Sequence, residues 1–146
     1  MSSVSIQAVS RVFETAKGQR TQALQPVDFE VRDNDFVTIL GPSGCGKSTL
    51  LRIVAGLDHA TSGRVLLDGV PVEGPGADRG MVFQSYTLFP WLTIEQNIRF
   101  GLRERGMPEA QQKERAAYFI AKVGLRGFEQ HFPKQLSGGM QQRTAI

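Results

Sequence analysis

The sequence predicts an α/β fold, β-rich at its start and helical at its end, and three consecutive features predict it. Phe36-Val37-Thr38-Ile39-Leu40 is a nearly continuous apolar run, the pattern of a strand buried on both faces. Gly41-Pro42-Ser43-Gly44-Cys45-Gly46-Lys47-Ser48 follows it directly and spells GxxxxGK[ST]. Leu50, Ile53, Val54 and Leu57 then recur at i, i+3, i+4 and i+7, a single apolar stripe on a helix that Gly56 stops. The glycine-rich loop therefore joins a buried strand to a helix N-terminus.

The flanking elements follow in order. Val4 to Val9 alternates apolar and polar residues and reads as a strand, with Val12-Phe13 a candidate continuation. Lys17-Gly18-Gln19-Arg20 is a turn, and Ala23 to Val31 a returning strand that Pro26 confines to an edge or a bulge. Asp33-Asn34-Asp35 turns the chain into the apolar run; asparagine tolerates a positive φ there. Past the helix, Thr61-Ser62-Gly63 reads as a turn, Arg64 to Leu67 as a strand and Asp68-Gly69 as a hairpin signal. Glu73-Gly74-Pro75-Gly76 is a loop, and Gly80-Met81-Val82-Phe83-Gln84 a second short buried-type strand.

After Trp91 the character changes. Thr93-Ile94-Glu95-Gln96 is a capping box opening a helix to about Glu104. Pro108 suits the first turn of the next helix, whose stripe is Ala116, Phe119, Ile120 and Val123, with Gly124 its stop. Gln135 to Gly139 is a turn, and Met140 to Ile146 a third helix with Ser137 near its cap. The expected division is residues 1–92, a β-subdomain plus the glycine-loop part of a nucleotide-binding core, and residues 93–146, a helical subdomain.

The loop carries chemistry. Glycines let a tight turn direct its backbone N–H groups at a polyphosphate, Lys47 reaches the terminal phosphates, and the Ser48 hydroxyl can ligate Mg²⁺. The helix N-terminus adds about half a positive charge aimed at the same place. Gly41, Pro42, Ser43, Gly44, Cys45, Gly46, Lys47, Ser48 and Thr49 are thus the candidate nucleotide-binding residues, with a nucleotide polyphosphate and Mg²⁺ the implied ligands.

Composition is compatible with this and excludes other classes. Seventeen Lys and Arg against 14 Asp and Glu leave a net charge of +3, with no basic block, so no nucleic-acid groove is required. No apolar stretch approaches the roughly 18 residues of a membrane span. The N-terminus has neither a basic n-region nor an apolar h-region, which argues against export. Cys45, the single cysteine, has no partner for an intramolecular disulfide, and a reducing cytoplasm is the simple reading.

A second motif narrows the class. Leu136-Ser137-Gly138-Gly139-Met140-Gln141-Gln142-Arg143 resembles the signature sequence of ATP-binding cassette (ABC) ATPases, a division of the P-loop NTPases. Its glycines leave backbone amides free at a helix N-terminus, a second anion site. The resemblance implies that this site docks on the ATP of another subunit. Ser137, Gly138, Gly139 and Gln141 would complete that site in trans. Gln84 resembles the Q-loop glutamine, implying contact with Mg²⁺ and the attacking water, and Phe13 resembles the aromatic that stacks on adenine. Val72 to Gly80, Phe83-Gln84 and Leu88-Phe89-Pro90-Trp91-Leu92-Thr93 look like the nitrate/sulfonate/taurine-type import ATPases, and Pro90-Trp91 lies where such cassettes cup their permease.

The resemblance runs from Val4 to Ile146, and it implies an ABC-type fold: an antiparallel β-subdomain, a partial parallel core sheet and a helical subdomain. The Walker B aspartate, the catalytic glutamate and the switch histidine of a complete cassette would follow the signature helix. None is matched here; His59 and His131 precede the signature and read as surface or loop histidines. The expectation is therefore the N-terminal portion of an ABC importer's ATPase subunit, lacking the C-terminal part of the fold and unable to hydrolyse ATP alone. Lys47 and Gln84 are its candidate catalytic residues, and Ser48 and Gln84 its candidate Mg²⁺ ligands. The implied partners are a second copy as homodimer, transmembrane permease subunits and, indirectly, a solute-binding protein, at the cytoplasmic face of the cell membrane; no nucleic acid is implied. Two alternatives stay open: a non-catalytic nucleotide-binding module, and an ABC ATPase without a permease.

Overall fold

The computed structural model describes residues 2–146. Its backbone divides at Met81/Val82 into two units.

The first unit is a four-stranded antiparallel sheet with one helix against it. Strand β1 (Val4–Glu14) pairs with β2 (Arg20–Val31) on one side and β3 (Ser62–Leu67) on the other, and β4 (Val70–Pro71) pairs with β3, giving the order β2-β1-β3-β4. Val12 and Phe13 do continue β1, and Pro26 lies on an edge strand, where its missing N–H leaves no ladder bond unmade. Asp68 and Gly69, at φ 51° and 81°, make the two-residue hairpin turn their types favour. Asn34 takes φ 63°, and the Arg32–Asp35 turn is closed by the Asp35 amide donating to the Arg32 carbonyl at 3.1 Å. Helix α1 (Lys47–Val54) follows the glycine loop. Its Leu50 and Ile53 join Ile6, Val9, Leu24 and Val65 in one buried core.

The second unit is helical. Helices α2 (Ile94–Glu104), α3 (Glu109–Lys122) and α4 (Gly138–Ala145) surround Ile94, Ile120, Leu125 and Leu136. The Thr93/Gln96 capping box forms as expected, and Gly124 ends the α3 turn at φ 69°. Asn97 ties the preceding segment to α2: its Oδ1 accepts from the Phe89 amide at 2.8 Å, and its Nδ2 donates to the carbonyls of Phe89, Leu92 and Thr93.

Several expected elements differ. Residues 36–40 and 80–84 are not strands. An apolar run records a tendency to be buried, but a strand needs neighbours to complete its hydrogen bonds. Among the described residues every paired strand belongs to the antiparallel sheet, so the expected parallel core strands have none; Phe36 is 95% exposed. The α1 stripe stops short of Leu57, which lies beyond the helix and is exposed. In α3, Phe119 sits at the edge of the apolar face and is exposed, while Gln112 takes a buried position because its amide donates to the Met107 carbonyl at 2.6 Å. Ser62 and Gly63 belong to β3 rather than to a turn, since Ser62 pairs with Ser10. The last helix starts at Gly138, two residues early, preceded by a 3₁₀ turn at Pro133–Gln135.

Candidate functional site

The glycine loop is built by backbone conformation. Gly44 and Gly46 take φ 85° and 98°, left-handed values that side chains resist. Gly46 is the N-cap of α1, which has neither a side-chain cap nor an acidic residue in its first turn. The Gly46 carbonyl accepts from Leu50 at 2.9 Å. The amides of Gly44 and of Gly46 to Thr49 have no acceptor among the described residues. They form a fan of free donors at a helix N-terminus, the arrangement that holds a polyanion. The Lys47 ammonium lies across the loop, donating to the Gly41 and Pro42 carbonyls at 2.7 Å each, with Cys45 Sγ 3.5 Å away. Ser43 and Ser48 are exposed, and Cys45 is a free, exposed thiol.

The loop is seated against β2. A Cβ at Gly46 would stand 2.5 Å from the Ala23 carbonyl oxygen and 3.0 Å from Leu24 Cδ1. Leu24 is the register partner of Arg11, and Phe13, two residues on, pairs with Thr21. The first unit therefore brings the Phe13 end of β1 into the neighbourhood of the loop. Phe13 is 43% exposed, and the Arg11 guanidinium lies over its ring at 4.6 Å.

Gln84 is exposed in a bend of the second unit and makes no hydrogen bond among the described residues. The signature residues lie in the same unit. Ser137 is exposed at the N-cap of α4, its side chain making no cap bond, and Gly139 has open space around its Cα. Gly138 lies under the Tyr86 hydroxyl, which a Cβ there would meet at 2.6 Å. Gln141 is partly committed: its amide donates to the carbonyls of Pro133 and Leu136, pinning the segment that leads into α4. His59 is exposed, and His131 packs on Phe128 in a loop. No cluster of three or more His, Cys, Asp or Glu able to hold a metal exists among the described residues. Any Mg²⁺ would thus depend on single ligands such as Ser48 together with phosphate and water oxygens.

A family model described as ABC transporter matches residues 24–146. The chain belongs to the ABC transporter family. The matched stretch contains the loop, Gln84 and the signature of this ABC chain, while Phe13 lies ahead of it. An uncharacterised ABC transporter ATP-binding protein of Methanocaldococcus jannaschii is 56% identical over 97% of the chain, which spans 52% of that relative. The nitrate import ATP-binding protein of Synechocystis is 49% identical over 94% of the chain and 52% of its own length. The taurine import ATP-binding protein of Burkholderia pseudomallei is 48% identical over the whole chain and 56% of its own length. The chain thus spans about half the length of the curated relatives it matches. The fold is that of the ABC cassette: the dimeric cassette MJ0796 bound to ADP and Pi matches with a TM-score of 0.85 at 33% identity, over 97% of this chain and 66% of that one.

Three further residues shape these sites. Asn97 had a local signal, an asparagine in a helix interior, where its type favours side-chain bonds to nearby backbone. Arg11 had a weaker one, alternation with Phe13 on one face of a strand. Tyr86 had none, because Gly138 lies 52 residues away in the chain.

Proposed function

We propose that these residues are the ATP-binding portion of the ATPase subunit of an ABC importer. The observation that carries the reading is the fan of free amides at Gly44 and Gly46 to Thr49, with Lys47 beside it at an uncapped helix start. In this reading the amides and Lys47 hold the phosphates, with Gly41 to Ser43 shaping the loop, and Phe13 holds the base. Ser48 would be one ligand of Mg²⁺ and Gln84 another, and the ion would supply charge neutralisation at the phosphates. Gln84 also orients the attacking water. Lys47 trades its two carbonyl contacts for phosphate oxygens, a charge-assisted exchange that favours the bound state.

Ser137, Gly138, Gly139 and the α4 amides close on the nucleotide of a second copy, so the working unit is a homodimer; the dimeric cassette neighbour supports this. Relatives named for nitrate, taurine and aliphatic sulfonate import support uptake of a small anion through permease subunits fed by a solute-binding protein. Trp91 supports a docking role for the segment after Gln84: it is 69% exposed and braced by Phe89, whose ring packs at a tilt against Phe100. The permease would hold the subunit at the cytoplasmic face of the membrane. Within residues 1–146 no apolar run ends in Asp-Glu, so these residues alone are proposed to bind ATP without turning it over.

The test is ATP affinity of the chain beside its Lys47→Ala variant. The reading expects a loss of tenfold or more, on the order of one charged phosphate contact, with similar helicity. Equal affinity in the two would refute it. In cells lacking the full-length subunit, restored uptake of nitrate, taurine or a sulfonate identifies the solute.

A further inference from the structure

We propose that Arg11 is a positioning residue for the base site, forming with Phe13 a cation–π platform whose free face takes the purine of ATP. The inference rests on the assignment of Phe13 to the base, and deepens it.

Arg11 and Phe13 project from the same face of β1, two residues apart. The guanidinium stands 4.6 Å from the Phe13 ring centroid, over one face, yet Phe13 as a residue remains 43% exposed. Arg11 is itself held: its Nη2 meets Asp58 Oδ1 at 2.7 Å, both side chains being about four-fifths buried. Its buried Nε has no hydrogen-bond partner among the described residues. Arginine–carboxylate pairs are frequently bidentate, through the planar fork. Here one arm anchors the group, and the flat face is spent on the ring.

The anchor comes from the loop that leaves α1. Asp58 lies four residues past that helix, and the segment behind it is stitched to β1: the Thr61 amide donates to the Ser10 carbonyl at 2.8 Å, and Thr61 Oγ1 accepts from the Val12 amide at 3.0 Å. Arg11 also pairs with Leu24, which packs where the phosphate loop turns at Gly46. Both ends of the phosphate-loop helix thus reference the strand that carries Phe13. A ring clamped in this way loses little freedom when a base stacks on it. The cation on its far side draws ring electron density away from the stacking face, which favours an electron-rich purine.

The experiment measures binding of MgATP and of magnesium tripolyphosphate, which has no base, to the chain and to Arg11→Ala, Arg11→Lys, Phe13→Ala and the double alanine variant. Arg11→Ala is expected to weaken ATP about fivefold, the scale of ordering one unclamped side chain on binding, and to leave tripolyphosphate unchanged within about twofold. Arg11→Lys, which keeps the cation, should recover most of the loss, and Arg11→Ala should add nothing on top of Phe13→Ala. Equal losses for ATP and tripolyphosphate would make Arg11 a clip for the α1 loop and overturn the proposal. A loss on Phe13→Ala with none on Arg11→Ala overturns it too, while leaving Phe13 as the base site. No loss on Phe13→Ala overturns both.

Discussion

Substituting alanine at Gly46 and at Gly44 separates two costs that the glycine loop combines. Both residues sit at left-handed φ, 98° and 85°, so either alanine pays about 1–2 kcal/mol of backbone strain. At Gly44 nothing else follows, because no heavy atom lies within 4 Å of the added Cβ. At Gly46 the Cβ arrives 2.5 Å from the Ala23 carbonyl oxygen, about 1 Å inside normal contact. The obstacle is backbone of β2, at Ala23, so it cannot rotate away; either β2 or the start of α1 must shift. Overpacking of this kind costs about 1–3 kcal/mol. Gly46→Ala is therefore expected to lose about 2–5 kcal/mol and Gly44→Ala about 1–2 kcal/mol, read from urea unfolding by far-ultraviolet circular dichroism. Hydrogen exchange should localise the extra loss to the β1–β2 amides near Arg11 and Leu24. If the two alanines cost the same, the loop is not seated on β2 as described.

Other expectations follow from the second unit. Thr93→Ala removes the side-chain acceptor for the Gln96 amide and half of the capping box, and should cost about 1 kcal/mol in the same unfolding measurement. Asn97→Ala leaves the Phe89 amide and the Leu92 carbonyl without their partner, and about 2–3 kcal/mol is expected; since Phe89 braces Trp91, tryptophan anisotropy should fall with it. The Glu109 carboxyl is held below its ordinary pKa, first by its hydrogen bond from Lys113, then by the charges of Lys113 and Arg99. A lowered folded pKa means that its contribution is complete above the ordinary carboxylate value and is lost as pH falls through the lowered one. The effect on stability should be small and salt-sensitive because the pair is exposed. An NMR titration should show the Glu109 midpoint rising in Lys113→Met; an unmoved midpoint would count against the pair.

What the sequence made legible, and what it hid, divides along the range of the interactions. The α2 capping box, the Asp68-Gly69 turn, the positive φ of Asn34 and the Gly124 stop each depend on a few neighbouring residues, and all form. The glycine loop belongs to the same class: its donors are backbone amides freed by their own glycines and by the start of their own helix, so a pattern of eight letters suffices to find them. The apolar runs at 36–40 and 80–84 fail for the opposite reason. They record a preference for burial, which only a neighbouring strand can satisfy, and no such strand pairs with them among the described residues. The groups that would aim the chemistry are also long-range. Arg11 is anchored by Asp58, 47 residues on, and Tyr86 lies on Gly138, 52 residues on. A local motif can therefore announce a fan of free backbone donors at a helix start. Where a base would lie, and how freely the signature glycines would meet a second nucleotide, depend on contacts that only the folded chain brings together.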